Sequence, residues 1–138
     1  MCEKSADDLL PLTNNKSYYD LHLRNADLNY NEIKLITEAI KIVHVKRGPG
    51  LQSFSMSYNP QLGDGGVLLL VKTLPPTVTE IGLVACGIGD KGGDALILWA
   101  TKALKLRWLC VEQNSFSAEM KDRFIQFGND RNGLLVVL

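Results

Sequence analysis

Val78-Thr-Glu-Ile-Gly-Leu-Val-Ala-Cys-Gly-Ile-Gly-Asp-Lys-Gly-Gly93 is the stretch that decides the fold of this chain. Its apolar residues predict a short strand, and they are Val78, Ile81, Leu83, Cys86 and Ile88. A Gly-Asp turn follows at Gly89, and residues 94–104 then place apolar side chains at helical spacing. This strand–turn–helix order fits two architectures that imply different functions.

The first architecture is a dinucleotide-binding domain. Gly87-Ile-Gly89-Asp-Lys-Gly92 spells G-x-G-x-x-G between a predicted strand and a predicted helix, and Glu112 ends the next predicted strand. An acidic residue about 20 positions after the glycines completes the fingerprint. The pattern predicts an oxidoreductase-type domain, but residues 1–77 contain no second half of the kind that such a fold requires.

The second architecture is an array of repeats, because the same pattern recurs along the chain. Leu21, Phe54, Ile81 and Leu109 occupy equivalent positions at steps of 33, 27 and 28 residues, and a further step of 27 reaches Val136. A fixed period of this length indicates a repeat protein. Four registered copies are stronger evidence than one glycine fingerprint, so the repeat interpretation is favoured.

The shared pattern, L-x-x-L-x-L-x-x-N/C-x-L, resembles the leucine-rich repeat family, and one helix per unit resembles its ribonuclease-inhibitor-like subclass. The resemblance implies that Asn59, Cys86 and Asn114 occupy the ninth position, where the side chain satisfies backbone groups of the loop from inside. The glycines then need no phosphate, and Gly63 and Gly89 are expected to supply the φ freedom of matching turns.

We therefore predict an α/β fold, a short leucine-rich-repeat solenoid with a curved parallel sheet inside, helices outside, about four repeats and a terminal strand. Residues 1–138 form one domain in this prediction. Residues 1–17 are an N-terminal lead that partly caps the apolar column through Leu9, Leu10 and Leu12. Residues 18–132 hold the repeats, and residues 133–138 form an edge strand.

The predicted helices cover residues 31–43, 65–74, 94–104 and 117–127. Asn31 is the expected N-cap of the first helix and Ser117 that of the last, since both side chains can accept a hydrogen bond from the first helical turn. The edge strand at residues 133–138 has no polar residue to blunt it, which predicts either a covering loop or a homodimer through this edge.

The composition excludes several classes of partner. Lys+Arg and Asp+Glu both number 15, which argues against nucleic acid and against a basic membrane-binding patch. No apolar run approaches about 20 residues, and the acidic N-terminus predicts no secretory signal.

Of three cysteines, Cys86 is expected inside and Cys110 outside, so they are poorly placed to pair. Reduced thiols predict an intracellular, cytoplasmic location. The chain is also similar to small repeat proteins that bacteria deliver into host cells, for which that location is the host cytosol.

Alternation along the strands predicts which side chains line the concave face of the sheet. We expect the partner-binding residues there to be Asp20, His22, Arg24, Asn25, Ser55, Ser57, Tyr58, Glu80, Val84, Trp108, Cys110, Glu112 and Gln113. Trp, Tyr and Arg most often anchor protein interfaces. An outward Trp108 is unusual on a strand unless something covers it.

The same map argues against catalysis. Cys110 and His22 form the Cys/His pair that is predicted to share a face, but three strand spacings separate them by roughly 14 Å, far beyond hydrogen-bond reach. Two histidines and scattered cysteines give no metal-ligand spacing. We expect no catalytic residue, metal or cofactor, and predict a non-catalytic module that captures another protein on its concave face. The family resemblance implies an inhibitor or regulator that covers the active site of a partner enzyme.

Overall fold

The computed structural model describes residues 18–47 and 50–138, which contain one five-stranded parallel sheet. The strands are β1 (Tyr19–His22), β2 (Leu51–Ser55), β3 (Glu80–Gly82), β4 (Trp108–Cys110) and β5 (Leu135–Val137), and their order in the sheet follows the chain. The helices between them are α1 (Tyr30–Arg47), α2 (Gly63–Val71), α3 (Asp90–Lys102) and α4 (Ala118–Asp130). The predicted α/β class is confirmed. The expected cap of Leu9, Leu10 and Leu12 lies outside the described residues.

The register of the sheet joins the equivalent positions of successive units. Leu21 pairs with Phe54, Phe54 with Ile81, Ile81 with Leu109, and Leu109 with Val136. The predicted alignment is confirmed, because the five residues are neighbours in one row across the sheet. The three central members of this row are buried and form part of the core.

The core lies between the sheet and the helices. Consecutive helices pack on one another, α1 on α2, α2 on α3 and α3 on α4. Crossovers of one hand between adjacent parallel strands place such helices on one face of a sheet. Met56, Leu83, Ile88, Leu96 and Phe124 are fully buried in this layer. The opposite face of the sheet, which we call the open face, carries the side chains that alternate with the core residues.

The starts of α1 and α3 differ from prediction. Helix α1 begins at Tyr30, and its N-cap is Asn29 instead of Asn31, because Asn29 Oδ1 accepts from Glu32 N (2.9 Å) while Glu32 Oε1 accepts from Asn29 N (3.0 Å). This reciprocal pair is a capping box. Helix α3 begins at Asp90, four residues before the predicted start. The prediction missed this first turn because its sequence, Asp-Lys-Gly-Gly, has no apolar residue at helical spacing. The predicted cap at Ser117 is confirmed, since its Oγ accepts from Met120 N (3.1 Å).

The remaining boundaries also shift. Helix α1 continues to Arg47, beyond the predicted end at residue 43, and α4 continues to Asp130, beyond the predicted end at residue 127. Helix α2 starts and ends earlier than predicted, at Gly63 and Val71, and β5 covers Leu135–Val137 instead of residues 133–138. Within residues 18–47 and 50–138, no helix is long and apolar enough to cross a membrane. Strand β5 lies at the edge of the sheet as expected, and dimerisation through it stays a prediction.

Candidate functional site on the open face of the sheet

The side chain of an asparagine holds the turn that follows β2 by hydrogen bonds to backbone. Asn59 is fully buried, and its Oδ1 accepts hydrogen bonds from the backbone N–H groups of Ala26 and Leu28 at 3.2 and 3.1 Å. Its Nδ2 donates to the carbonyl oxygens of Leu23 and Met56, both at 2.8 Å. One side-chain amide therefore fixes its own turn and the turn of the preceding unit.

Asn114 repeats this arrangement two units later. Its Oδ1 accepts from the N–H groups of Cys86 and Ile88 at 2.9 and 3.1 Å. Its Nδ2 donates to the carbonyls of Leu83 and Val111 at 2.8 and 2.9 Å. The role predicted for these asparagines, satisfying loop backbone from inside, is confirmed.

Cys86 occupies the same position between them. Its side chain is buried, and Sγ lies 3.2 Å from the carbonyl oxygen of Met56 and 3.4 Å from that of Val84. Burial raises the pKa of the Cys86 thiol, which keeps it protonated and able to donate. The thiol thus takes the place of the asparagine Nδ2 in the central unit.

The residue before Asn59, Cys86 and Asn114 has left-handed backbone, and so does the residue at the matching place in the turn after β1. The φ angles are +48° at Asn25, +63° at Tyr58, +54° at Ala85 and +60° at Gln113. This conformation costs a non-glycine residue about 1 kcal/mol. The same conformation in four turns, at the spacing of the core row, shows that the turns share one geometry.

The glycine fingerprint is explained by packing between units. The N–H groups of Gly89 and Gly92 donate to Asp64 Oδ1 at 2.8 and 2.9 Å. A Cβ on Gly87 would lie 2.6 Å from the carbonyl oxygen of Pro60. The N-terminus of a helix attracts anions, and at α3 a carboxylate of the preceding unit already occupies that place. A pyrophosphate would have to displace it.

One detail of these turns corrects the sequence prediction. Gly89 has φ −101°, so it supplies no left-handed conformation, whereas Gly63 (φ +58°) and Gly87 (φ +67°) do. Asp90 Oδ1 accepts from Ser117 N at 2.8 Å, which repeats the Asp64 contact one unit later. Hydrogen bonds from Ser117 lower the pKa of the Asp90 carboxyl. The Gly-Asp turns therefore link each helix to the next unit.

The open face presents two rows of side chains. The first row runs Asp20, Ser53, Glu80, Trp108 and Leu135. The second row runs His22, Ser55, Gly82, Cys110 and Val137. The predicted residues Asp20, His22, Glu80, Trp108 and Cys110 thus lie where strand alternation placed them. Arg24, Val84 and Glu112 follow β1, β3 and β4 in the chain, with Asn25, Tyr58 and Gln113 in the left-handed turns.

Ser55 at the end of β2 and Ser57 just after it are the exception. Ser55 is only 3% exposed and Ser57 5%, so their predicted exposure is wrong. Ser57 Oγ accepts from the backbone N–H of Val84 at 3.0 Å and lies 3.3 Å from Ser55 Oγ. The two serine side chains are short and hydrogen-bonded, so larger neighbouring side chains cover them. They support the face instead of contacting a partner.

The β1 flank carries a cation held by an aromatic ring. The Arg24 guanidinium lies 5.2 Å from the centre of the Tyr58 ring, within the range of a cation–π contact. His22 Nε2 lies 2.9 Å from Ser53 Oγ, which is the reach of a nucleophile and its base. Ser53 is 3% exposed, however, so this pair has no route to a substrate. The pair bonds β1 to β2.

A depression lies between β3 and β4. It has a volume of about 200 Å³ and is lined by Glu80, Ile81, Gly82, Trp108 and Cys110. Gly82 forms part of its floor because it has no side chain, and an added Cβ would lie 3.0 Å from Ser55 Oγ. Trp108 stands beside it with 47% of its surface exposed.

A second groove adjoins the depression. It has a volume of about 500 Å³ and is lined by Gln52, Thr79, Glu80, Arg107, Trp108, Gly133 and Leu135. Glu80 and Trp108 line both the depression and the groove, so the indole lies between them. Prediction missed Gln52, Thr79 and Arg107, because strict alternation assigns them to the helix side. Their polarity was the available signal, since Gln and Arg are rarely buried in an apolar core.

Cys110 is a protonated thiol in this setting. Partial burial raises its pKa, and the negative charges of Glu112 and Glu80 raise it further. A nucleophilic cysteine requires the opposite, a lowered pKa beside a cation or a helix N-terminus. His22 lies on β1, three strands away from Cys110. In the part of the chain that the structure describes, no three His, Cys, Asp or Glu side chains are grouped to hold a metal ion.

No family model matches the sequence, and no curated protein matches it either.

Proposed function

We propose that this chain is a leucine-rich-repeat solenoid of the ribonuclease-inhibitor-like subclass that captures a partner protein on its open face without catalysing a reaction. Three features support the repeat assignment. Equivalent apolar residues form one row across the sheet, the same left-handed turn recurs four times, and Asn59 and Asn114 bind their turns in the same way.

The observation that carries the binding proposal is Trp108. Its indole is 47% exposed on β4 and separates two grooves of about 200 and 500 Å³. Trp is enriched among the residues that dominate binding energy, and such residues pair with pockets that exclude water. A large exposed aromatic beside two depressions is typical of an interface anchor.

The hydrogen bonds that order β2, its turn and the segment after β3 favour tight binding on this face. Asn59 and the buried serines Ser55 and Ser57 hold the turn and the neighbouring strand by hydrogen bonds. A face that is already ordered loses little conformational entropy when a partner binds. The proposed surface is thus a rigid one that a partner fits, and it does not depend on folding upon binding.

The proposal extends to an inhibitor or regulator of a partner enzyme, located inside the cell. Solenoids of the resembled subclass can cover an enzyme's active site. Cys86 and Cys110 are both free thiols, which supports a reducing compartment.

The test compares three single variants in capture experiments from native lysate, with bound proteins quantified by mass spectrometry. Trp108→Ala and Arg24→Glu change the open face. Ile125→Ala is the matched control, since Ile125 is 50% exposed on α4, away from the sheet. We expect the first two variants to lose at least about tenfold of a partner's recovery, while Ile125→Ala recovers it as the natural chain does.

A partner recovered equally by Trp108→Ala and Arg24→Glu would overturn the open-face proposal, as would a partner lost only from Ile125→Ala. The captured partner is then assayed as an enzyme with and without the chain. Unchanged turnover at saturating chain would remove the inhibitor assignment and leave the binding proposal in place.

A further inference from the structure

Two carboxylates act on the depression beside Trp108. Glu80 and Cys110 line it, and Glu112 lies two residues after Cys110 in the chain, where its charge also acts on the Cys110 thiol. Within residues 18–47 and 50–138, neither carboxylate forms a salt bridge, and the ion pair found there joins Arg123 to Asp94 on the helix side. The depression therefore carries negative charge without a bonded counter-charge.

Two arginines, Arg107 and Arg24, lie near the open face but do not line the depression. Arg107 lines the adjoining groove and makes no salt bridge to Glu80. Arg24 lies on the Tyr58 ring, next to β1 and β2. Among the acidic side chains of the open face, Asp20 lies on β1, whereas Glu80 and Glu112 lie on β3 and just after β4, where the exposed indole stands.

The shape of the depression suits a long side chain. Gly82 contributes only backbone to the lining, with the Ser55 and Ser57 hydroxyls filling the place where its Cβ would lie, and Trp108 forms a wall with half of its surface exposed. A cation gains most when it lies over the face of a tryptophan. Carboxylates nearby add charge-assisted hydrogen bonds to the same group.

We propose that this depression binds the cationic side chain of an arginine or lysine on the partner protein, with its stem over Gly82, its charged group beside Glu80 and Glu112, and Trp108 packed against it. The inference rests on the proposed function and specifies what the partner presents to the open face. An acidic side chain would be repelled there. An apolar one would bury Glu80 beneath it without giving the carboxylate a partner, which is unfavourable.

The experiment uses three short peptides and the whole chain labelled with ¹⁵N. The probes are acetyl-Gly-Arg-Gly-amide, acetyl-Gly-Lys-Gly-amide and the citrulline analogue of the first, which has the same shape without the charge. The indole N–H resonance of Trp108 reports binding. Trp99 is an internal reference, because its Nε1 donates to the Leu74 carbonyl at 3.2 Å on the helix side.

We expect a saturable shift of the Trp108 resonance with the arginine or the lysine peptide, little shift with citrulline, and no shift at Trp99. Glu80→Gln and Glu112→Gln keep the side-chain shape and remove the charge. Each should weaken binding roughly fivefold or more, since hydrogen bonds to charged groups are the strong ones. Binding should also weaken with added salt.

A citrulline shift as large as the arginine shift would overturn the inference, as would no saturable shift at Trp108 with either cationic peptide. The outcome for the proposed function is read separately, from partner capture by the same glutamine variants. If Trp108→Ala loses the partner while the double variant Glu80→Gln/Glu112→Gln retains it, cation recognition fails and open-face binding stands. If Trp108→Ala and Arg24→Glu also retain the partner, both fail.

Discussion

The turns after the strands and the face around Trp108 differ in what their polar side chains bind. Those of the turns hydrogen-bond to backbone, whereas those around Trp108 are left for other contacts. In the turns, Asn59 and Asn114 have every amide position bonded to backbone of two units. Around Trp108, the carboxylates of Glu80 and Glu112 have no salt bridge within the described residues. Side chains that recur from unit to unit hold the backbone, and side chains that differ are left for other contacts.

The two rows of the sheet show this contrast directly. The core row, from Leu21 to Val136, is apolar throughout. The adjacent row on the open face contains two acids, a serine, a tryptophan and a leucine, from Asp20 to Leu135. Packing between sheet and helices constrains the first row at every step. Only the neighbouring side chains constrain the second.

The largest expected effect is that of Asn59→Ala. It leaves buried donors and acceptors of the turns without partners, and each such group costs about 1 to 3 kcal/mol. We expect the free energy of unfolding in urea to fall by at least about 3 kcal/mol. Trp108→Ala is the comparison from the other region and should cost less than about 1 kcal/mol. Equal losses in the two variants would break the contrast.

Gly87→Ala should rank second. The added Cβ would lie 2.6 Å from the Pro60 carbonyl, at a left-handed φ of +67°. We expect a loss of about 2 to 3 kcal/mol from strain and displaced backbone, measured by urea unfolding.

Gly133→Ala is the control for the strain alone, because Gly133 has φ +80° and no atom within 4 Å of an added Cβ. It should lose only about 1 kcal/mol. Similar losses at Gly87 and Gly133 would mean that the contact with Pro60 contributes nothing.

The dinucleotide hypothesis is tested on the natural chain, and we expect neither NAD nor NADP to raise its melting temperature.

Ala85→Gly should act in the opposite direction. Ala85 has φ +54°, so glycine relieves left-handed strain, while the freer unfolded chain offsets part of the gain. We expect a stabilisation of about 0.5 kcal/mol. Ala95→Gly in the middle of α3 is the matched control and should destabilise by about 1 kcal/mol. Loss of stability at both positions would show that the repeated turn is unstrained.

The smallest expected effect concerns the thiol of Cys110. Burial and the charges of Glu112 and Glu80 raise its pKa, so less thiolate is present at pH 8 than in a free cysteine, and alkylation by iodoacetamide should be slower. Glu112→Gln removes one raising charge, so the pKa falls and the rate should rise modestly, roughly twofold or less. Cys2→Ser provides a background in which Cys110 is followed by mass spectrometry, and an unchanged rate would show that the carboxylate does not act on the thiol.

Much of the fold could be predicted because the core row obeys a long period. Leu21, Phe54, Ile81 and Leu109 are equivalent in the sequence and adjacent in the sheet. The capping position of α1 could not be fixed in the same way, because both Asn29 and Asn31 can accept a hydrogen bond, and the return bond from Glu32 selects the first. The N-terminus of α3 was also unpredictable, since Asp64 reaches it from the preceding unit.

The sequence by itself determined which residues repeat and, by alternation, which of them leave the core. Only the tertiary structure decided which outward residues reach solvent, because that depends on the size and bonding of side chains on neighbouring strands. Ser55 and Ser57 are covered for this reason, while Trp108 stands clear. The depression at Gly82 has the same origin, since its walls come from two strands whose residues lie far apart in the chain but adjacent in the sheet.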